Sequence, residues 1–210
     1  MYLPVVLLLS SYLLGSLSGS LMLGRLRGVD IRTQGSGNAG GTNALRTQGF
    51  VFALATVLID VGKGALAAWL AASFLGAALQ PAWVFACILA AAVGHIWPIF
   101  HGFRGGKGAA TLVGGLAVAW PQAIVPVLAT WLLCLLLTGY VGLSTVLAGV
   151  AVLAFALITN AQPSVSMFAA ALALLLVFTH RGNLARLRQG REPRFERARV
   201  LGRLLFGKKA

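Results

Sequence analysis

Acidic side chains are nearly missing from this sequence. Only four of the 210 residues are Asp or Glu, against 17 Lys or Arg, for a formal net charge of +13. Charged residues of either sign make up 10%, hydrophobic residues 59%, and the mean hydropathy is +0.88. A soluble domain so poor in charge has too little polar surface to cover itself. The composition therefore excludes a water-soluble globular protein and predicts an all-α polytopic membrane protein. Cysteine is scarce as well. Cys87 and Cys134 lie in apolar runs without ligand spacing, which predicts inert packing residues and no disulfide framework. His95 and His101 have no metal-ligand partner at useful spacing, so neither a metal nor a cofactor is expected. The G-x-x-x-x-G-K-[ST] spacing of a Walker loop and the G-x-S-x-G nucleophile elbow are absent. No internal repeat is visible, so the inverted-repeat signature of many transporters is missing.

What charge there is sits in a few places. Arg25, Arg27, Arg32 and Arg46 occupy the first polar loop, Arg104 and Lys107 a central one, and ten basic residues the tail from Arg181 onward; Lys63 completes the set. Clustering beside apolar runs is a topology signal, and it argues against nucleic acid as the partner. A basic tail next to a membrane attracts anionic lipid instead. Residues 2–23 are long enough to cross a bilayer and lack the basic leader of a cleaved signal, which predicts an uncleaved span with the N-terminus outside. Spans at 50–75 and 82–100, joined by uncharged G-A-A-L-Q-P, return the chain to the cytoplasm. The central loop and the tail are both basic, so an even number of crossings separates them. Short spans at about 109–120, 122–138, 141–158 and 163–179 give seven, with a cytoplasmic C-terminus; two spans and a re-entrant pair would satisfy the same parity. Residues 1–210 are expected to form one integral-membrane domain. The tail, 181–210, is expected to be cytoplasmic, with an amphipathic pattern over 195–206.

Three stretches carry the chemistry. The central one is G-H-I-W-P-I-F-H-G-F-R-G-G-K-G-A-A-T, residues 94–111. Glycines at 105, 106 and 108 let a backbone approach an anion, Arg104 and Lys107 add fixed charge, and a helix starting near Gly108 would aim its positive end at the same point. The alternative is a plain basic loop between spans. The first loop carries G-S-G-N-A-G-G-T-N-A-L-R, residues 35–46. Ser36, Asn38, Thr42 and Asn43 can donate hydrogen bonds, and Arg46 can hold a phosphate in bidentate fashion; the alternative is a flexible linker. The third, H-R-G-N-L-A-R, begins where the last span ends, with His180 and Asn183 at i,i+3. Asp60 and Lys63, also i,i+3, lie inside the second span, either as site scaffold or as a mutually neutralising pair. Glu192, among arginines, is expected to be a structural partner.

Together these blocks, with D-V-G-K-G at 60–64, resemble the bacterial acyl-phosphate:glycerol-3-phosphate acyltransferase family of the PlsY type, in order and over nearly the whole chain. Gly41 stands where the family usually has alanine, and Arg104 where lysine is common. In G-Y-V-G-L-S-T, residues 139–145, Gly139 and Gly142 replace an arginine and a serine, so Ser144 or Thr145 is expected to supply that hydroxyl. The resemblance implies acyl transfer from a fatty acyl phosphate to the 1-hydroxyl of glycerol 3-phosphate, on the cytoplasmic face of a bacterial inner membrane, giving lysophosphatidic acid and phosphate. It also implies an upstream acyl-phosphate-forming enzyme. Arg46, Lys107, His180 and Asn183 are expected to orient glycerol 3-phosphate. Ser36, Asn38 and the backbone of residues 105–108 are expected to hold the acyl phosphate, with Gly37, Gly40, Thr42, Asn43 and Arg104 lining the site. Direct attack is expected, since an acyl phosphate already has a good leaving group. The rival reading is a transporter or flippase for an anionic phosphate ester.

Overall fold

The computed structural model describes residues 2–75 and 80–206. Among the described residues every regular element is helical, and the chain divides into two compact units, Met1–Pro121 and Gln122–Ala210. The first unit holds α1 (Leu3–Gly15), α2 (Gly19–Leu26), α3 (Gly41–Gln48), α4 (Phe50–Phe74), α5 (Gln80–Ile96) and α6 (Ala109–Ala119). The second holds α7 (Ile124–Thr138), α8 (Val141–Ile158), α9 (Pro163–Thr179), α10 (Arg181–Arg188) and α11 (Val200–Phe206).

Each apolar segment of the sequence is a helix, but they are not seven equal spans. Four helices are long and apolar enough to cross a membrane, and up to six spans result if the bent pairs α1–α2 and α9–α10 each count as one. α6 has 11 residues; at 1.5 Å per residue it covers about 16 Å of a hydrocarbon core about 30 Å thick. The expected first span, 2–23, breaks between Gly15 and Gly19 with a bend of 45°, and its second part runs on to Leu26. Gly and Ser flank the break, Ser18 is extended, and such pairs are a usual site of helix kinks. The G-A-A-L-Q-P connection lies mostly outside the described residues. Of the amphipathic stretch expected over 195–206, only Val200–Phe206 is helical.

Small residues, rather than large apolar ones, set the spacing inside the first unit. A Cβ on Gly64 would lie 1.9 Å from the Thr111 carbonyl oxygen, and one on Gly114 1.9 Å from that of Val61, so α4 and α6 meet backbone to backbone. Gly15 and Gly94 do the same for α1 and α5. Helices in lipid gain nothing from hiding leucine, and associate where small residues allow close packing. Accordingly Ala67, Ala68, Ala71 and Ala91 are buried, while Leu54, Leu58 and Trp69 of α4 face outward.

Candidate active site

The first loop is not a flexible linker. Ile31, Ala39 and Ala44 are fully buried with Leu21, Phe52 and Ala53 in a small apolar core of their own. Asn43, 1% exposed, holds the loop over that core: its Nδ2 donates to the carbonyls of Ile31 (3.1 Å) and Gln34 (3.0 Å), and its Oδ1 accepts from the Ser36 amide (2.9 Å). Of the residues expected to line the site here, Asn43 thus faces the protein, whereas Ser36 and Arg46 are exposed. Asn38 and Thr42 are half-buried, with the Asn38 amide folded against Gly40.

Two residues that the sequence marked only as part of a charged loop tie this loop to the central one. Asp30 caps a 3-10 turn over Ile31–Thr33 and grips the Arg32 guanidinium through both oxygens. Arg32 then donates to the backbone carbonyls of His101 (2.8 Å) and Arg104 (3.1 Å). The hydrogen bond from Arg32 holds the Asp30 carboxyl at a pKa of about 2, below the usual carboxylate range. The only advance sign was an Asp two residues before an Arg in a chain with four acids.

The central loop departs from the expected cradle in one respect. The amides of Gly105 and Gly106 donate backward to the carbonyls of Ile96 and His95, both at 3.1 Å, and so close the C-terminal end of α5. Those glycines are needed for room. A Cβ on Gly105 would lie 2.0 Å from the His95 carbonyl oxygen, and one on Gly106 2.1 Å from His95 Nε2 and 2.9 Å from the Ala39 carbonyl oxygen. The helix expected near Gly108 does begin there, after Gly108 turns at a φ of +85°. Leu112 N bonds Gly108 O, so the amides of Ala109, Ala110 and Thr111 have no intrahelical acceptor and carry the positive end of α6.

Behind this loop lies a buried polar group that sequence spacing half revealed. Asp60 and Lys63 form an ion pair at 2.9 Å, each about 3% exposed or less at the side chain. Lys63 Nζ also contacts the Leu17 carbonyl oxygen (3.0 Å) and His95 Nδ1 (2.8 Å), and Asp60 Oδ1 accepts from Gly19 N (3.1 Å) at the start of α2. His95 comes from another helix, so no local spacing could have added it.

In the second unit, α9 and α10 bend by 56° at His180, so the i,i+3 relation of His180 and Asn183 does not lie on one straight helix. His180 is buried, and its Nδ1–H donates to the Leu176 carbonyl (2.9 Å). Asn183 Nδ2 donates to Glu192, whose other oxygen takes Arg186 Nε at 2.8 Å. Gly142 packs on Asn183, with 2.8 Å between a Cβ built there and that of Asn183. The hydroxyls of Ser144 and Thr145 donate to Tyr140 O and Val141 O at 2.9 Å, and Thr145 Oγ1 also accepts from Trp131 Nε1 at 3.3 Å.

The sequence profile of the glycerol-3-phosphate acyltransferase family matches residues 5–190. A glycerol-3-phosphate acyltransferase of Paramagnetospirillum magneticum is 44% identical over 188 residues, covering 89% of this chain and 90% of the relative. One from Jannaschia sp. is 42% identical with the same coverage. Among solved structures, the integral membrane glycerol 3-phosphate acyltransferase PlsY (YgiH), in its glycerol 3-phosphate form, superposes with a TM-score of 0.86 at 32% identity, over 94% of this chain and 98% of that one. Its lysophosphatidic acid form gives 0.85. The chain belongs to the glycerol-3-phosphate acyltransferase family and is, with it, a multi-pass membrane enzyme.

Proposed function

We propose that this enzyme transfers a fatty acyl group from an acyl phosphate to the 1-hydroxyl of glycerol 3-phosphate, releasing phosphate and lysophosphatidic acid. The observation that carries the reading is the likeness to an enzyme solved in both a glycerol 3-phosphate and a lysophosphatidic acid form. In the first unit it is supported by two loops bound into one polar end, where Arg32 reaches the central loop's backbone and Ala39 faces Gly106. Arg46 and Lys107 supply fixed positive charge for phosphate, Ser36, Asn38 and Thr42 supply neutral donors, and the first amides of α6 complete the set. In the second unit His180 and Asn183 are assigned to substrate, with Glu192 fixing the Asn183 amide.

The hydroxyl attacks the acyl carbon directly. The C–O bond to phosphate breaks, and the proton passes to a phosphate oxygen of the substrate, so no acyl-enzyme forms. Seven crossings result if the short α6 is counted with the four long helices and the two bent pairs, and the distribution of Arg and Lys then favours the N-terminus outside and the basic loops, tail and site on the cytoplasmic side of a bacterial inner membrane. The tail then meets anionic lipid, and a separate enzyme supplies the acyl phosphate.

The test supplies purified enzyme with palmitoyl phosphate, with and without glycerol 3-phosphate, and with palmitoyl-CoA in parallel. Phosphate release that needs both substrates, does not occur with the CoA ester and falls by about a hundredfold or more in Lys107→Ala is expected, as for loss of an electrostatic donor. Turnover with palmitoyl-CoA alone would overturn the donor, and near-normal turnover in Lys107→Ala the role of the central loop.

A further inference from the structure

The buried group behind the central loop has a direction. A charged lysine has three N–H bonds and no acceptor. Lys63 Nζ has three neighbours to match: Asp60 Oδ1 at 2.9 Å, Leu17 O at 3.0 Å and His95 Nδ1 at 2.8 Å. His95 Nδ1 also lies 3.4 Å from Asp60 Oδ1, but the shorter contact is with an ammonium that can only donate, so Nδ1 carries a lone pair and the ring proton sits on Nε2. Nε2 lies against Gly106, at 2.1 Å from the place a Cβ would occupy, and the Ala39 carbonyl oxygen is 2.9 Å from the same place. His95 is 3% exposed as a residue, yet its Nε2 is not among the fully buried polar atoms without a partner, so this edge of the ring is not sealed off. Gly106 therefore leaves the gap through which a fixed donor reaches the phosphate loop.

We propose that His95 Nε2–H donates a hydrogen bond to a phosphoryl oxygen of the acyl phosphate, with Asp60 and Lys63 as positioning residues that hold the imidazole in the required tautomer. This rests on the function proposed above. The arrangement suits a leaving phosphate. As the acyl C–O bond breaks, negative charge collects on the departing oxygens, and a donor already aimed at them needs no reorganisation. A neutral N–H, unlike a further ammonium, also releases the product phosphate.

Two substitutions separate this role from packing. Asn at position 95 keeps an acceptor where Nδ1 was, so Lys63 stays satisfied, but it has no group at the Nε2 position. Gln places an amide N–H near the Nε2 position and gives up the bond to Lys63. Full-length enzyme in detergent is assayed with palmitoyl phosphate and glycerol 3-phosphate, each varied in turn, and the Tm of each variant is measured. His95→Asn is expected to keep the wild-type Tm while kcat/KM for palmitoyl phosphate falls about tenfold or more and the KM for glycerol 3-phosphate stays put. His95→Gln is expected to lose Tm yet recover most of that kcat/KM. An unmoved donor kcat/KM in His95→Asn, as when water merely bridges Nε2–H to Ala39 O, overturns the inference alone. So does a Gln variant no better than Asn. Wild-type enzyme that fails to turn over palmitoyl phosphate overturns the donor assignment and this inference with it.

Discussion

Asp60→Asn should destabilise the first unit more than any surface change, because it strands Lys63. In the native protein the two charges are 2.9 Å apart with side chains 2–3% exposed. At an effective dielectric of about 20, unit charges at that distance attract by about 6 kcal/mol. Part of this is cancelled by the cost of holding both away from water, and removal of one partner of such a pair typically costs about 3–5 kcal/mol. The Asn amide can still accept from Gly19 N and from Lys63, but it carries no charge to balance the ammonium. For a chain of this size each kcal/mol moves Tm by about 2–4 °C, so a loss of about 6–20 °C is expected in detergent. The companion Asp60→Leu/Lys63→Met removes both charges at similar volume and should recover most of the Tm, since a buried pair is often replaceable by apolar residues. A double variant no more stable than Asp60→Asn would mean that the loss comes from shape or from the Leu17 and Gly19 contacts rather than from an unbalanced charge.

Gly106→Ala should lower kcat/KM by at least about tenfold: its Cβ would collide with His95 Nε2 and crowd the Ala39 carbonyl, and overpacking of this kind costs about 1–3 kcal/mol. Steady-state kinetics with both substrates reads this, and a wild-type value would show that the loop yields freely. The Asp30–Arg32 pair predicts an acid limb. With its folded pKa lowered to about 2 from 3.8, Asp30 contributes stability that is fully present above about pH 4 and is lost as pH falls through 2. Because the Asp30 side chain is 41% exposed, solvent screens the pair and the effect is small. Tm measured from pH 5 to pH 2 should fall more steeply for wild type than for Asp30→Asn, and parallel curves would remove Asp30 from the account.

Local signals in the sequence carried a good deal of this. Apolar runs became helices, α6 begins just after Gly108 as the loop composition suggested, and Asp60 and Lys63 pair at i,i+3 as one helix face requires. The failures share a cause, which is sequence distance. Arg32 bonds carbonyls 69 and 72 residues away, and His95 meets Lys63 across 32. No propensity or periodicity encodes which helix lies beside which. The unbroken first span failed for a different reason: it extended a periodicity across a junction that small and polar residues from Ser16 to Gly19 had already marked.

From the sequence the central loop reads as an anion cradle or a plain basic loop, and the first as a set of phosphate donors or a flexible linker; both are folded closely against the protein, by different means. The first is folded over its own core of Ile31, Ala39 and Ala44 and laced by one buried amide, Asn43. The second is folded back onto the end of α5, with two of its amides already closing that helix and its glycines making room for an imidazole. A donor helps an anion only if it does not have to be ordered on arrival, so rigidity matters here more than the number of N–H groups. The glycines serve the site by letting backbone, His95 and Ala39 come close enough to hold one another still.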